Sequence, residues 1–253
     1  MKQIAANAMV SAAVLDDGTV WMWGDARDGL MGNGLSGWRT PCVKTPTKVE
    51  GLDHVARVAF DDTSALAVKD DGTVWGWGKN DHGELCNGTT EARLRPFAVK
   101  ALANVVQAQV AANSVMVLAD GTVRMCGKDV DGELADPTHQ EHLTPFRIPG
   151  VTNVRSARSA SGTTIVQLTD GTLRGWGNGY YGALGDGRGD SSSSRPHAPT
   201  GLGPVLAHYM SSDASYAIRA DGTVMVWCVP APPGEKTEFI LTPRPAFTVK
   251  VSE

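Results

Sequence analysis

Positive charge in excess is missing from this 253-residue chain: 23 Lys and Arg stand against 27 Asp and Glu, a net charge of −4. Phosphate backbones and anionic membrane surfaces therefore exert no general attraction on it, and neither nucleic acid nor a membrane is expected as a partner. No apolar run approaches the roughly 20 residues of a membrane span, and no helix-period segment of useful length occurs. Cysteine is scarce. Cys42, Cys86, Cys126 and Cys228 form no CxxC pair and have no histidine at metal-ligand spacing, so free thiols and no metal centre are expected. His139-Gln140-Glu141-His142 lacks the spacing of a helical zinc motif, and no Gly-rich phosphate loop opens a helix, so no cofactor is expected. Lys2 and Ala6-Asn7-Ala8 imitate a short leader, but Ile4 to Leu15 aligns at an offset of 54 with Val58 to Lys69 and reads as a strand. A cytoplasmic location is the expectation.

What the chain has is turns and recurrence. It holds 29 Gly and 14 Pro, and Asp71-Gly72-Thr73-Val74-Trp75-Gly76-Trp77-Gly78 returns in four further copies. Asp-Gly supplies the positive φ angles of a two-residue hairpin turn, Thr-Val-Trp favours a strand, and the last glycine ends it. The turn glycines, Gly18, Gly72, Gly121, Gly171 and Gly222, are spaced 54, 49, 50 and 51 residues apart. A period near 50 signals a propeller or another repeat array.

Each turn is preceded by an apolar strand and followed by a second one, Val20 to Trp23, Val74 to Trp77, Val123 to Cys126, Leu173 to Trp176 and Val224 to Trp227. A Gly-punctuated loop and a polar connection lead to a Pro-led strand at Pro46, Pro96, Pro145 and Pro196, with a fifth version at Pro243 to Val251. The expectation is an all-β chain, a five-bladed β-propeller of four-stranded blades. It is read as one domain over 1–253, with repeats at about 1–44, 45–94, 95–143, 144–194 and 195–242. Residues 243–253 are expected to complete the first blade and close the ring, removing an exposed sheet edge.

Trp21, Trp23, Trp75, Trp77, Trp176 and Trp227 are expected as core between blades, and Cys126 and Cys228 as drifted scaffold positions. Candidate partner-binding residues are those that vary in the loop after each Trp-Gly strand: Arg27 and Asp28, Asp81 and His82, Val130 and Asp131, Tyr180 and Tyr181. Trp38 and Arg39, an aromatic beside an arginine in a long connection, join them. The tyrosines offer wide contact area at low entropic cost. Asp16-Asp17 and Asp70-Asp71 are turn chemistry, Asp61-Asp62 reads as an interstrand turn, and no catalytic constellation stands out.

The pattern strand-Asp-Gly-x-Val-x-x-Trp-Gly, then x-Asn-x-x-Gly-x-Leu-x-x-Gly, resembles the repeat of the regulator of chromosome condensation family. The match is close in Asp71 to Gly88, clear in Asp170 to Gly187 and weaker in the other copies. The resemblance implies one four-stranded blade per repeat, usually seven to a propeller, so five departs from the pattern. It also implies nucleotide exchange on a small nuclear GTPase and chromatin docking through basic segments, but this chain has no basic tail and no exchange insertion to align. Bacterial members look like interaction modules, one of them covering β-lactamases with a propeller face. The expected function is a non-enzymatic protein-binding propeller, in its narrowest form an inhibitor or neutralising partner of a bacterial enzyme or toxin. A glycan is the alternative ligand, although Tyr180 and Tyr181 have no aromatic counterparts at Asp81 and His82, and a glycoside-active channel enzyme ranks third.

Overall fold

The computed structural model describes residues 1–25, 27–37, 42–211, 214–232, 235 and 238–248. Its strands form five antiparallel sheets of four, each taken in simple chain order. The first holds β1 (Gln3–Ala6), β2 (Val10–Val14), β3 (Val20–Gly24) and β4 (Val43–Lys48). The second holds β5 (Val55–Phe60), β6 (Ser64–Lys69), β7 (Val74–Gly78) and β8 (Arg93–Ala98). β9 (Val105–Val110), β10 (Asn113–Leu118), β11 (Val123–Gly127) and β12 (His142–Arg147) make the third. The fourth is β13 (Val154–Ala160), β14 (Thr163–Leu168), β15 (Leu173–Gly177) and β16 (Ser193–His197). The fifth is β17 (Ala207–Met210), β18 (Ser215–Ile218), β19 (Thr223–Trp227) and β20 (Arg244–Thr248). Two compact units divide the chain: one holds the first three sheets, the other the last two together with 120–122 and 129–140.

The Asp-Gly hairpin is not the two-residue turn expected. Only its glycine takes a positive φ, +77° at Gly72, and the Gly72 N–H donates to the Lys69 carbonyl at 2.9 Å. This is a type I turn followed by a left-handed glycine, a geometry that leaves the aspartate in an ordinary conformation. Its carboxylate then accepts the N–H two residues on, at 2.9 Å from Thr19, Thr73, Thr122, Thr172 and Thr223 alike. The Thr73 hydroxyl and then its N–H hold the Asp71 carboxyl below the usual range.

The same turn ties successive repeats. The Gly18 carbonyl accepts the Val55 N–H, Gly72 that of Val105, Gly121 that of Val154 and Gly171 that of Val205, at 2.9–3.0 Å. A side chain at Gly72 would put its Cβ 2.8 Å from Asn104 Cα, so backbone proximity and φ both demand glycine here. A second tie is made by tryptophan. The buried indoles of Trp77, Trp176 and Trp227 donate to the carbonyls of Leu30 (2.7 Å), Glu133 (2.8 Å) and Ala183 (3.1 Å), each the residue after a loop glycine one repeat earlier. Two positions beyond the acceptor the chain must stay small: a Cβ at Gly32 would lie 3.3 Å from the Trp77 indole nitrogen, and one at Gly185 3.2 Å from that of Trp227.

Three expectations are corrected. Arg244–Thr248 pairs with β19 of the fifth sheet and not with the first, because every Pro-led strand pairs with the Trp strand before it, as Trp21 with Lys48 and Trp75 with Ala98. The first repeat owns its fourth strand and needs no loan. Trp21, Trp23 and Trp75 are only half-buried. The first sheet turns Val10, Ala12, Val14, Val20 and Met22 into the core shared with Ala65, Ala67 and Trp77, which leaves Trp21 and Trp23 on its other face; the Trp75 ring has the Lys69 ammonium 4.6 Å from its centroid.

The third correction concerns the thiols. Cys86 and Cys126 are joined as a disulfide, with their Cα atoms 5.6 Å apart, while Cys42 and Cys228 remain thiols. Cys126 stands where other repeats carry tryptophan, and Cys86 where Gly32 and Gly185 stand. The cross-link therefore occupies the site of an indole packed on a glycine. The Glu84 carbonyl, which an indole would otherwise meet, accepts the Ser114 hydroxyl at 2.6 Å.

Trp77→Phe keeps the ring but leaves the Leu30 carbonyl without its donor, and a loss of about 1–3 kcal/mol is expected in urea unfolding. The disulfide closes a 40-residue separation, so converting both cysteines to serine is expected to cost about 4 kcal/mol by chain entropy, seen as a lower urea midpoint that reductant shifts no further.

Candidate functional site

The loop that follows each Trp-Gly strand has two forms, and one side chain decides which. In the second and third repeats the residue after the loop glycine is glutamate. Glu84 accepts the His82 N–H at 2.9 Å and Glu133 the Asp131 N–H at 2.6 Å. Both glutamates are buried, and burial pushes both carboxyls above their ordinary value. In the first and fourth repeats Leu30 and Ala183 have no side-chain acceptor to offer, and the loop instead makes a 3-10 turn, Arg27–Gly29 and Tyr180–Gly182. Asp28 and Tyr181 there take left-handed conformations, φ 57° and 58°, whereas His82 and Asp131 do not. For aspartate that is ordinary; for a tyrosine it is an outlier.

The fourth repeat spends this conformation on display. The Tyr181 N–H donates to the Gly189 carbonyl at 3.1 Å, and the ring, 60% exposed, lies 4.7 Å from that of Phe239 at a tilt of 49°. Tyr180, 46% exposed, is fixed by its N–H donating to Asn178 Oδ1 at 2.9 Å. The Asn178 amide donates in turn to Asp131 Oδ2 at 3.2 Å. Together the tyrosines, Phe239, Pro230 and Met210 border a cleft of about 770 Å³. No described residue of its lining carries a charge, and Asn178 and serine and threonine hydroxyls supply its polar points.

Of the ten residues singled out from the sequence, Asp131 and Tyr180 come together through Asn178, with Tyr181 next to Tyr180 in the same turn. Val130 is 62% exposed beside them in sequence. Asp81 pairs with Lys79 at 3.0 Å, and Asp28 adds to the field on the same lysine. His82 Nδ1 lies 2.8 Å from Glu141, and Arg27 donates to Asp25 at 2.7 Å. Asp81 and Arg27 are thus engaged within their own loops, while Asp28 and His82 reach the following repeat. Trp38 and Arg39 lie outside the described residues. Phe239 and Pro230 were missed because the fifth repeat breaks the loop pattern there, so no counterpart marked them, and Met210 because it ends a strand, Ala207–Met210, and not a loop. Glu84 and Glu133 did carry a signal, a charge at a loop position that is apolar in Leu30 and Ala183.

A carboxyl raised by burial adds stability that is complete below its ordinary pKa of about 4.3 and is lost as pH rises through the raised value. The double change Glu84→Gln and Glu133→Gln keeps both acceptors and removes that loss. Thermal unfolding is expected to show the variant gaining on the wild type as pH rises from 4 to 7.

Comparison with known proteins accords with this architecture. The regulator of chromosome condensation (RCC1) repeat matches residues 17–68 and 71–118, and a second model of the same repeat matches 57–84. The human E3 ubiquitin-protein ligase HERC2 is 37% identical over 114 residues, 44% of this chain and 2% of the ligase. The mitochondrial RCC1 domain-containing protein RUG3 of Arabidopsis thaliana is 31% identical over 122 residues, 46% of this chain and 27% of that protein. The chain thus spans a small part of the curated relatives it matches. Human WBSCR16 superposes with a TM-score of 0.78 at 21% identity, over 96% of this chain and 67% of that one. Prp20p of Saccharomyces cerevisiae, whose structure was described with its binding to Gsp1p and histones, also gives 0.78, at 18% identity over 96% of this chain and 62% of its own. Residues 17–118 thus match the regulator of chromosome condensation repeat, and the fold is that of the solved propellers the chain resembles.

Proposed function

We propose that the chain is a non-enzymatic protein-binding propeller whose partner is anchored by Tyr180 and Tyr181. The observation that carries the reading is Tyr181 itself. A bulky residue held at φ 58° costs of order 1–3 kcal/mol, a strain that persists where surrounding structure imposes it and that gathers at ligand clamps. The strain positions an exposed ring against Phe239 at the rim of an uncharged cleft. Aromatic anchors beside a pocket are what a protein interface uses for most of its affinity. Two likenesses support a protein ligand: Prp20p binds Gsp1p and histones, and yeast RCC1 (Prp20) has been crystallised with Kap60. At 18% identity these share the fold, so their partners are not assigned here.

In its narrower form the bound protein is an enzyme or toxin held inactive by the contact. The cytoplasm remains the proposed location; there, thiol pools would hold Cys86 and Cys126 as two thiols in contact, while an oxidising compartment would keep them joined.

Affinity capture from the source cell's lysate tests the reading. Tyr181→Gly suits the left-handed backbone and removes the ring, so combined with Tyr180→Ala it is expected to leave thermal unfolding at or above the wild-type temperature. Capture should fall at least about tenfold, as expected for losing a hot-spot side chain. Equal recovery of the same protein by wild type and variant would overturn the anchoring role. No protein recovered, together with retention on a glycan array, would replace the partner with a sugar.

A further inference from the structure

The disulfide between Cys86 and Cys126 can be approached from one side. Both cysteines belong to the apolar core that the second and third sheets share, with Leu66, Val99 and Met116. Cys126 is fully buried, but Cys86, 2% exposed, forms part of the wall of a cavity of about 250 Å³. Asn87, β8 with the chain just after it, and Thr144 of β12 supply the remaining wall. That volume lies below the roughly 300–1,000 Å³ of a drug-sized site, so it suits a small molecule and not a loop of another protein.

The wall is positive. Arg93 and Lys100 line it, both exposed, and no described residue of the lining carries a carboxylate. The Arg93 guanidinium lies 5.5 Å from the centroid of the Phe97 ring, itself part of the wall. Asn87 adds a donor. Its side-chain oxygen accepts from the Asn80 amide at 3.1 Å and from the Thr89 N–H at 2.9 Å, while its side-chain nitrogen is buried with no acceptor among the described residues. Two cations and an unanswered N–H are complementary to carboxylate oxygens. Behind the wall, the Glu84 carbonyl lies 3.8 Å from each sulfur. It is the counterpart of the carbonyl that receives an indole N–H in the other joints, so an S–H set free on reduction meets an acceptor.

We propose that this cavity receives a small thiol bearing carboxylates and that Cys86 is the sulfur it attacks. The incoming thiolate bonds to Cys86 Sγ as the bond to Cys126 breaks; Cys126 leaves with the electron pair and takes up the proton that the incoming thiol lost. A second small thiol then attacks the first one's sulfur, which frees Cys86 as a thiol and releases the oxidised dimer. The protein disulfide is reduced by two electrons, and two small thiols are oxidised to one disulfide. Run backwards with the dimer, the same steps close the cross-link between the loop that ends at Cys86 and β11.

Reduced glutathione, which carries two carboxylates, is the probe, set against uncharged mercaptoethanol and cationic cysteamine on the full chain. Alkylation and peptide mass follow the thiols freed at Cys86 and Cys126 and separate them from Cys42 and Cys228. Each rate is divided by that thiol's rate on hydroxyethyl disulfide, which cancels intrinsic reactivity. On this scale glutathione is expected to lead by about tenfold, the low end of electrostatic enhancement in a charged cleft. Arg93→Gln combined with Lys100→Gln, both at exposed positions, should abolish the lead while circular dichroism stays unchanged. Oxidised glutathione should add its thiol to Cys86 in Cys126→Ser and leave Cys126 unmodified in Cys86→Ser. If either serine variant loses its circular dichroism, the mixed disulfide is trapped by acid in the wild type and located by peptide mass. Equal scaled rates for the three thiols overturn the proposal, as does a glutathione lead that survives the double glutamine change, addition at Cys126 in place of Cys86, or reduction that occurs only in urea or only with a protein dithiol reductase.

Discussion

Among the described residues every fully buried tryptophan has one polar atom to satisfy, and the acceptor comes from the repeat before. Burying an indole N–H without a partner costs the full desolvation of that group, so Trp77, Trp176 and Trp227 can reach the core only if a loop carbonyl is waiting. The carbonyl is presented by the residue after a left-handed glycine, Gly29, Gly132 and Gly182. The glycine after Trp77 answers to its own sheet, because a side chain at Gly78 would collide with the Thr63 carbonyl. Indole, loop and left-handed glycine thus form one constraint.

The third repeat shows that the constraint has a second solution. Where the indole is absent, its volume is taken by two sulfur atoms and its hydrogen bond by the Ser114 hydroxyl. Neither change works alone: a cysteine at position 126 facing a glycine would leave a void, and one at 86 would crowd an indole. The loops vary in the same paired manner. With glutamate after the loop glycine, the preceding N–H is capped from within; with leucine or alanine, the chain turns left-handed one residue earlier and pushes Asp28 or Tyr181 outward.

The fold was legible because its instructions are local and repeated. Asp-Gly, the Trp-Gly ending and the Pro-led strand each mark one boundary, and five in-phase copies located nearly every strand. What went wrong was phase: a proline can open a strand either at the end of one sheet or at the start of the next, and spacing alone does not say which neighbour it pairs with. The disulfide escaped for a related reason. Cys86 and Cys126 each look like a lone departure from the repeat, and only the packing of one repeat on the next brings them together. In the candidate site Tyr180 and Tyr181 stood out by type, while Phe239 lay in a stretch without counterpart, so nothing in the sequence placed it against them.

The hydrogen bond from each Asp-Gly turn to the first strand of the following repeat has a consequence for how the chain loses structure. Since the Gly72 carbonyl is satisfied by the Val105 N–H, and the Gly171 carbonyl by that of Val205, a repeat is complete only when its successor is folded. Coupling of this kind is nearest-neighbour, as in a one-dimensional chain of interacting units. A lesion in one repeat is felt by the next and fades beyond it.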